Sequence, residues 1–390
     1  MSTLKVDAIR HNSATSDAIT TASDGTCTAK LTSVGGGGLS HRNVIINGDA
    51  KVSQRATAKG SITSGGYYAV DRWYVTMDTA GTWTMYQDAD VPSGYGFSKS
   101  VSLDVNTANT SLSAGSRAML SYRLEGQDVQ RFCKGTANAK KYALSFWVKC
   151  GKTGTYVLEL YDHDNGRHIC KTYTISSANT WEQKKLIFDN ETSNAFGNDN
   201  GKSLELQFYL VAGSNYTSGT LATSWAASSN GNRAVGQVNV ADSTSNKYFL
   251  TGVQLEVGDT VTSYEHRSYG DELQRCLRYF YQSSHWGTAS GTGYAALGVN
   301  YTGYQTAVGN WIWVTCYLPV VMRAAPTLDT SDQAGNTGNK HSIFVSTGGS
   351  RTNDVSNYHT SSYNDHFTVS NYNQQKYGMQ VSGVKADAEL

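Results

Sequence analysis

Short apolar alternations, each closed off by turn residues, constrain this chain more than any other feature of its sequence. Leu204, Leu206, Phe208 and Leu210 occupy every second position of one stretch. The same spacing recurs in Leu144, Phe146 and Val148, in Val101, Leu103 and Val105, and across Phe249, Val253, Leu255 and Val257. Successive side chains of a strand point to opposite faces, so a period of two sets one face in a core and leaves the other outside. From about Asn43 onward such stretches follow one another with Gly, Asn, Asp or Ser between them, which predicts an all-β jelly-roll β-sandwich of roughly eight strands or more. Asp164-Asn165-Gly166 lies between two such stretches and reads as a hairpin turn, because Asn-Gly tolerates the positive φ angles that turn requires.

A chain of 390 residues exceeds the usual span of one core, so further parts are expected. Residues 1–43 hold few apolar groups (Leu4, Val6, Ile9, Ile19, Leu31) and a Gly35 to Gly38 joint, and cannot bury enough surface to fold alone. This segment is expected to become ordered by adding short strands to copies of itself or to another protein. Residues 44–266 make the jelly roll, interrupted at 212–247 by a long polar stretch carrying Trp225, of a length that is functional or interfacial in compact domains. A linking helix is expected within 267–284. Leu273, Leu277 and Phe280 fall at i, i+4 and i+7 of an Asp271 to Gln282 helix, Ser268 is placed to cap it, and Asp271 faces Arg275 as an i,i+4 pair. Residues 285–390 read as a smaller C-terminal β domain, the expected distal tip.

Composition removes several functions. The net charge is +1, which leaves no electrostatic basis for gripping a phosphate backbone, so nucleic acid is not an expected partner. No apolar run is long enough to cross a bilayer, and MSTLKVDAIR lacks the layout of a secretory signal, so synthesis and folding in a cytoplasm are expected. Cys27, Cys133, Cys150, Cys170, Cys276 and Cys316 contain no CxxC pair and are read as reduced, mostly buried thiols, with no metal site and no cofactor expected.

Candidate chemistry is sparse. Tyr161, Asp162, His163 and Asp164 with His168 concentrate acids and imidazoles, but a turn tip is expected to expose them, which suits neither a metal nor a general acid. Asp71, Glu125, Glu159 and Glu205 offer carboxylates for a glycosidase pair, yet Glu159 and Glu205 fall on the polar side of their strands, where a solvated face is the default. Gly291-Thr-Gly293-Tyr-Ala-Ala296 matches a dinucleotide fingerprint only formally, since no βαβ unit surrounds it. No catalytic residue is assigned and the chain is not expected to be an enzyme. Trp286, Tyr301, Tyr304, Trp311, Trp313 and Tyr317 are the glycan-binding candidates, because aromatic faces stack on the apolar faces of sugar rings.

Four stretches carry a family resemblance: NVIINGDAKVSQR from Asn43, GGYYAVDRWYV from Gly65, YFLTGVQLEVGD from Tyr248 and YEHRSYGDELQRCLRYF from Tyr264. In order and spacing they resemble tail-fibre and related virion structural proteins of bacteriophages, marine ones in particular; STLKVDAI and LPVVMRAAPTL resemble the same group more loosely. The resemblance implies a carbohydrate-binding-module-like jelly roll in a homotrimeric fibre. Its residues 1–43 would join a phage tail or adaptor protein, and its distal part would meet a host surface polysaccharide or outer-membrane receptor. A capsid fibre or head decoration and a depolymerase tailspike are the alternatives. In sugar-binding modules of this kind an NGD-like motif and an acidic pair in the last strand help hold a structural calcium. Asn47, Gly48 and Asp49 match, whereas Thr251 and Gly252 stand where the acids would be.

Overall fold

The computed structural model describes residues 6–10, 12, 15–24, 27–29, 41–283, 301–304, 311–331, 338–344, 351–356, 359–372, 378–381 and 383–390. Two antiparallel sheets form the sandwich. The seven-stranded sheet runs in the order Ala226–Ala227, Arg167–Ile175, Gly154–Asp162, Lys202–Ala212, Arg117–Glu125, Trp73–Asp78, Gly66–Tyr67. The six-stranded sheet runs Glu182–Phe188, Tyr142–Cys150, Lys247–Val257, Ser100–Thr107, Thr82–Asp88, Ala58–Ile62. Most neighbours are non-consecutive strands, as a jelly roll requires, and hairpin pairs such as Gly154–Asp162 with Arg167–Ile175 complete the two sheets.

The expected alternations supply the core: Leu204, Leu206, Phe208 and Leu210 from one sheet meet Leu144, Phe146 and Val148 and Val101, Leu103 and Val105 from the other. Trp73 anchors the layer between them, its ring 5.3 Å from Tyr122 and 6.3 Å from Phe208. One alternation is broken. Gly252 adopts φ +61° where the pairing of Lys247–Val257 with Tyr142–Cys150 shifts register, so Tyr248 and Leu250 join Val253 and Leu255 in the core while Phe249 and Val257 do not. A bulge of this kind changes which parity faces inward.

The Asn165-Gly166 hairpin forms as expected, pairing Gly154–Asp162 with Arg167–Ile175 around Gly166 at φ +60°. The helix is shorter than the sequence pattern predicts. It runs Tyr269–Leu277, starting where the Ser268 hydroxyl accepts the Asp271 amide hydrogen. Phe280 instead opens the strand Phe280–Gln282, drawn into a sheet with Gly383–Asp387 and Thr327–Ser331. Asp271 and Arg275 form no ion pair; both line a cleft with Arg278 and Val321. The C-terminal part adds two further small sheets: Tyr301–Tyr304, Gly378–Val381, Lys340–Phe344, Arg351–Ser356, and Trp311–Tyr317, His366–Tyr372, His359–Ser362. Near the start, Ala8–Ile9, Ile19–Thr21 and Cys27–Ala29 make a three-stranded meander with Val6 and Ile9 exposed. All six cysteines are free thiols; Cys27 is exposed and Cys133 half-buried, against the expectation of burial.

Candidate functional site

The outer face of the seven-stranded sheet carries a groove of about 390 Å³. Its floor comes from the strand positions opposite in parity to the core: Tyr74, Thr76 and Asp78 lie beside Arg117, Met119 and Arg123, then Glu205 and Gln207, then Tyr161. Pairing places Arg123 directly across from Glu205 and Glu205 across from Tyr161. Arg123 donates from Nε to Glu205 Oε1 at 3.2 Å and lays its guanidinium 3.7 Å from the centre of the Tyr74 ring. His163 Nε2 lies 2.7 Å from Glu205 Oε2. Arg117 donates to Asp78 Oδ2 at 2.8 Å. Burial works against the charge of Glu205, but the His163 hydrogen bond and the positive charges of Arg123 and Lys202 hold its carboxyl down to about 2. Guanidinium and carboxylate thus alternate along the floor, with two tyrosines among them.

The segment 212–247 lies against this sheet and contributes Arg233 to the groove lining. Its Arg233 donates to both Glu159 oxygens at 3.0 and 2.9 Å and to Gln207 Oε1 at 2.8 Å. Glu159 also receives the Tyr209 hydroxyl at 3.1 Å and lies 2.6 Å from His168 Nδ1. Glu159, His168 and Cys170 are close enough to suggest a metal-binding group. The chemistry argues otherwise. A guanidinium already neutralises the carboxylate, burial pushes the Cys170 thiol well up, and that thiol points at the Arg233 carbonyl oxygen 3.3 Å away. The group is a brace that fixes the covering segment to the sheet.

This corrects the expectation of exposure for Asp162 and His168, which are fully buried, whereas Asp164 at the turn tip is exposed as expected and His163 is half-buried. Lys134 reaches Asp162 Oδ2 at 2.7 Å and Glu191 Oε2 at 2.8 Å, with its ammonium 4.9 Å from the Trp225 ring. Glu159 and Glu205 are likewise buried and not on a solvated face. Alternation shows which side of a strand is polar, but not whether another segment will cover it. All four glycosidase candidates are held by arginine, Asp71 by Arg55 at 3.9 Å, Glu125 by Arg278 at 2.8 Å, Glu159 by Arg233 and Glu205 by Arg123.

The NGD motif is a knot of hydrogen bonds. Asn47 donates from Nδ2 to the Val52 and Asp71 carbonyls and accepts the Val52 amide hydrogen, so its side chain is spent. Lys51 Nζ sits 2.8 Å from Asp49 Oδ2 and donates to the Arg267 carbonyl at 2.7 Å. The Thr251 hydroxyl donates to Lys99 O, and the Phe97 ring packs on Gly252, where a Cβ would stand 2.5 Å from it. An internal ammonium already neutralises Asp49 and an aromatic ring packs where the acids would stand, so the residues do not fit a calcium ion.

Of the six aromatic candidates, Trp286 lies outside the described residues. Tyr301, Tyr304 and Trp311 are placed on strands, with side chains outside the described set. Trp313 and Tyr317, on the strand Trp311–Tyr317, are 57% and 71% exposed. Sequence reasoning missed Tyr363 and His366 beside them, and missed Tyr74, Arg117, Arg123 and Arg233 in the groove, while Tyr161 was singled out only as part of the hairpin cluster. The available signal was parity: Tyr74, Arg123 and Tyr161 alternate with core residues of their own strands.

No protein-family profile and no curated protein matches the sequence. Among solved structures, the enzymatically active domain of tailspike protein 4 from bacteriophage CBA120 is similar at 16% identity, over 58% of this chain and 23% of that one, with a TM-score of 0.30. TmCBM61 bound to β-1,4-galactotriose is similar at 10% identity over 55% of this chain and 99% of that one, with a TM-score of 0.28. The family 11 carbohydrate-binding module of Clostridium thermocellum bound to a mixed-linked tetrasaccharide gives 11%, 53%, 98% and 0.24. This chain thus spans under a quarter of the tailspike chain it matches.

Proposed function

We propose that this chain is a non-enzymatic structural protein of a bacteriophage particle, a homotrimeric tail fibre that binds a host surface glycan. The observation that carries glycan recognition is the groove floor of alternating guanidinium, carboxylate and tyrosine. A sugar hydroxyl both donates and accepts, so it is matched by charged acceptors and donors held in fixed pairs, while the tyrosines, their rings packed by Arg123 and Arg233, add apolar edges beside them. The phage assignment is supported by the four sequence stretches that resemble tail-fibre proteins. Attachment through residues 1–43 is supported by the meander near the start, whose strands of two or three residues are too short to be stable without partners.

Binding without cleavage is supported by the state of the groove acids. Hydrolysis of a glycosidic bond needs one carboxyl kept protonated near neutral pH. Glu205 is held ionised, and Asp78 is paired with Arg117. The test is incubation of purified full-length chain with polysaccharide from candidate hosts, measuring both retention of the protein and release of reducing ends. Retention without release is expected; new reducing ends mean a depolymerase. Labelling the chain in intact virions separates a tail location from a capsid one.

A further inference from the structure

The C-terminal sheet of Trp311–Tyr317, His366–Tyr372 and His359–Ser362 has two contrasting faces. Ile312, Val314, Cys316, Phe367 and Val369 are buried beneath it. Pairing sets Thr315 opposite Thr368 and Tyr317 opposite His366 on the outward side, with Trp313 further along the same strand and opposite Ser370, which is itself buried. Tyr363, 51% exposed, stacks on His366 with ring centres 4.5 Å apart and planes within 14°, and His366 is in turn 5.9 Å from Tyr317. His366 Nδ1 lies 2.7 Å from Asp365 Oδ1, which fixes the ring.

We propose that this outward face is a second saccharide platform, on which a linear glycan lies along the strand Trp311–Tyr317 with one sugar over Trp313 and another against Tyr317, His366 and Tyr363. This inference rests on the glycan-recognition reading above but concerns a different surface from the groove. Four residues of extended strand separate the two aromatic positions by roughly 13 Å, too far for a single pyranose to bridge, so an oligosaccharide is required and not a monosaccharide. Between them the outward positions carry the hydroxyls of Thr315 and Thr368. No outward position described on these paired strands is aliphatic; the aliphatic residues are all on the buried side. A face that met another protein would present contiguous apolar area at its centre. Exposed rings parted by hydroxyls match instead the alternation of apolar faces and hydroxyl edges along a sugar chain.

The experiment uses the full chain on an array of linear oligosaccharides, followed by titration with the best-retained one. Trp313→Ala with Tyr317→Ala is expected to weaken binding about tenfold or more. Trp313→Phe with Tyr317→Phe, which keeps both rings, is expected to stay near wild type, which separates stacking from damage to the fold. Wild-type binding that the alanine pair leaves intact, but that Tyr74→Ala with Tyr161→Ala abolishes, overturns the platform and keeps the wider reading. No binding of wild type to any oligosaccharide removes both. A fall in sedimenting mass in the alanine pair also overturns it, by making the face a contact between copies.

Discussion

The Arg72 guanidinium donates to the Glu389 carboxylate across 317 residues of sequence, and both side chains are buried, at 1% and 3% exposure. The Arg72 guanidinium also lies 3.4 Å from the centre of the Tyr279 ring, and Arg55 adds bonds to Asp387 at 3.1 Å and Glu389 at 3.4 Å. Arg323 donates to the Ala388 carbonyl at 2.8 Å. The end of the last described strand and the residues after it are therefore clamped to the loops at Arg55 and Arg72 that flank the first strands of the jelly roll.

Breaking that clamp should be costly. Removing one partner of a buried ion pair leaves the other charge desolvated and uncompensated, at about 3–5 kcal/mol. Arg72→Met and Glu389→Gln are each expected to lower denaturant stability by that order. The double variant should lose less than the sum, because each single change already breaks the same contact. A strictly additive double mutant would show that the two do not act as a pair.

Acid should weaken the groove side of the sandwich. Glu205 is held at about 2 in the folded chain against an ordinary 4.5. Its folded value lies below the unfolded one, so its contribution is complete above about 4.5 and is lost as the pH falls toward about 2. At neutral pH this is about 3 kcal/mol as an order of magnitude. Glu205→Gln is expected to be less stable than wild type at pH 7 and to show a flatter decline below pH 4.5, read from urea midpoints across that range.

The turn at Gly48 tolerates no side chain. A Cβ there would stand 2.2 Å from the Val253 carbonyl oxygen. Gly48→Ala is expected to cost about 3 kcal/mol by forcing the turn at Gly48 away from the strand Lys247–Val257. Lys51 serves the same corner as an internal cation at Asp49, so chelation should leave the melting temperature of the wild type unchanged while Lys51→Met lowers it. A drop in wild-type melting temperature on chelation would contradict the reading of that corner.

Sequence made the strands legible because alternation is a local signal. Leu204 to Leu210, the Asn165-Gly166 turn and the Ser268 cap needed only neighbours to be read. Parity, however, does not say what covers a polar face. Glu159 owes its burial to Arg233, which is 74 residues away, and no local pattern announces that contact. Phe280 fell on helical spacing but was claimed by the strand Gly383–Asp387, a non-local pairing that overrides a weak local period. Trp313 and Tyr317 could be named as glycan-binding candidates from residue type alone, whereas their exposure, and the company of Tyr363 and His366, follow only from the register of the sheet.

Titration of the full chain with an array-selected oligosaccharide, comparing wild type with Tyr74→Ala and Tyr161→Ala, bears most directly on recognition by the groove. Saturable wild-type binding that weakens about tenfold in the variants, with the oligosaccharide recovered at its original length, is the predicted result. Equal affinity in wild type and variants, or shortened product, would contradict it.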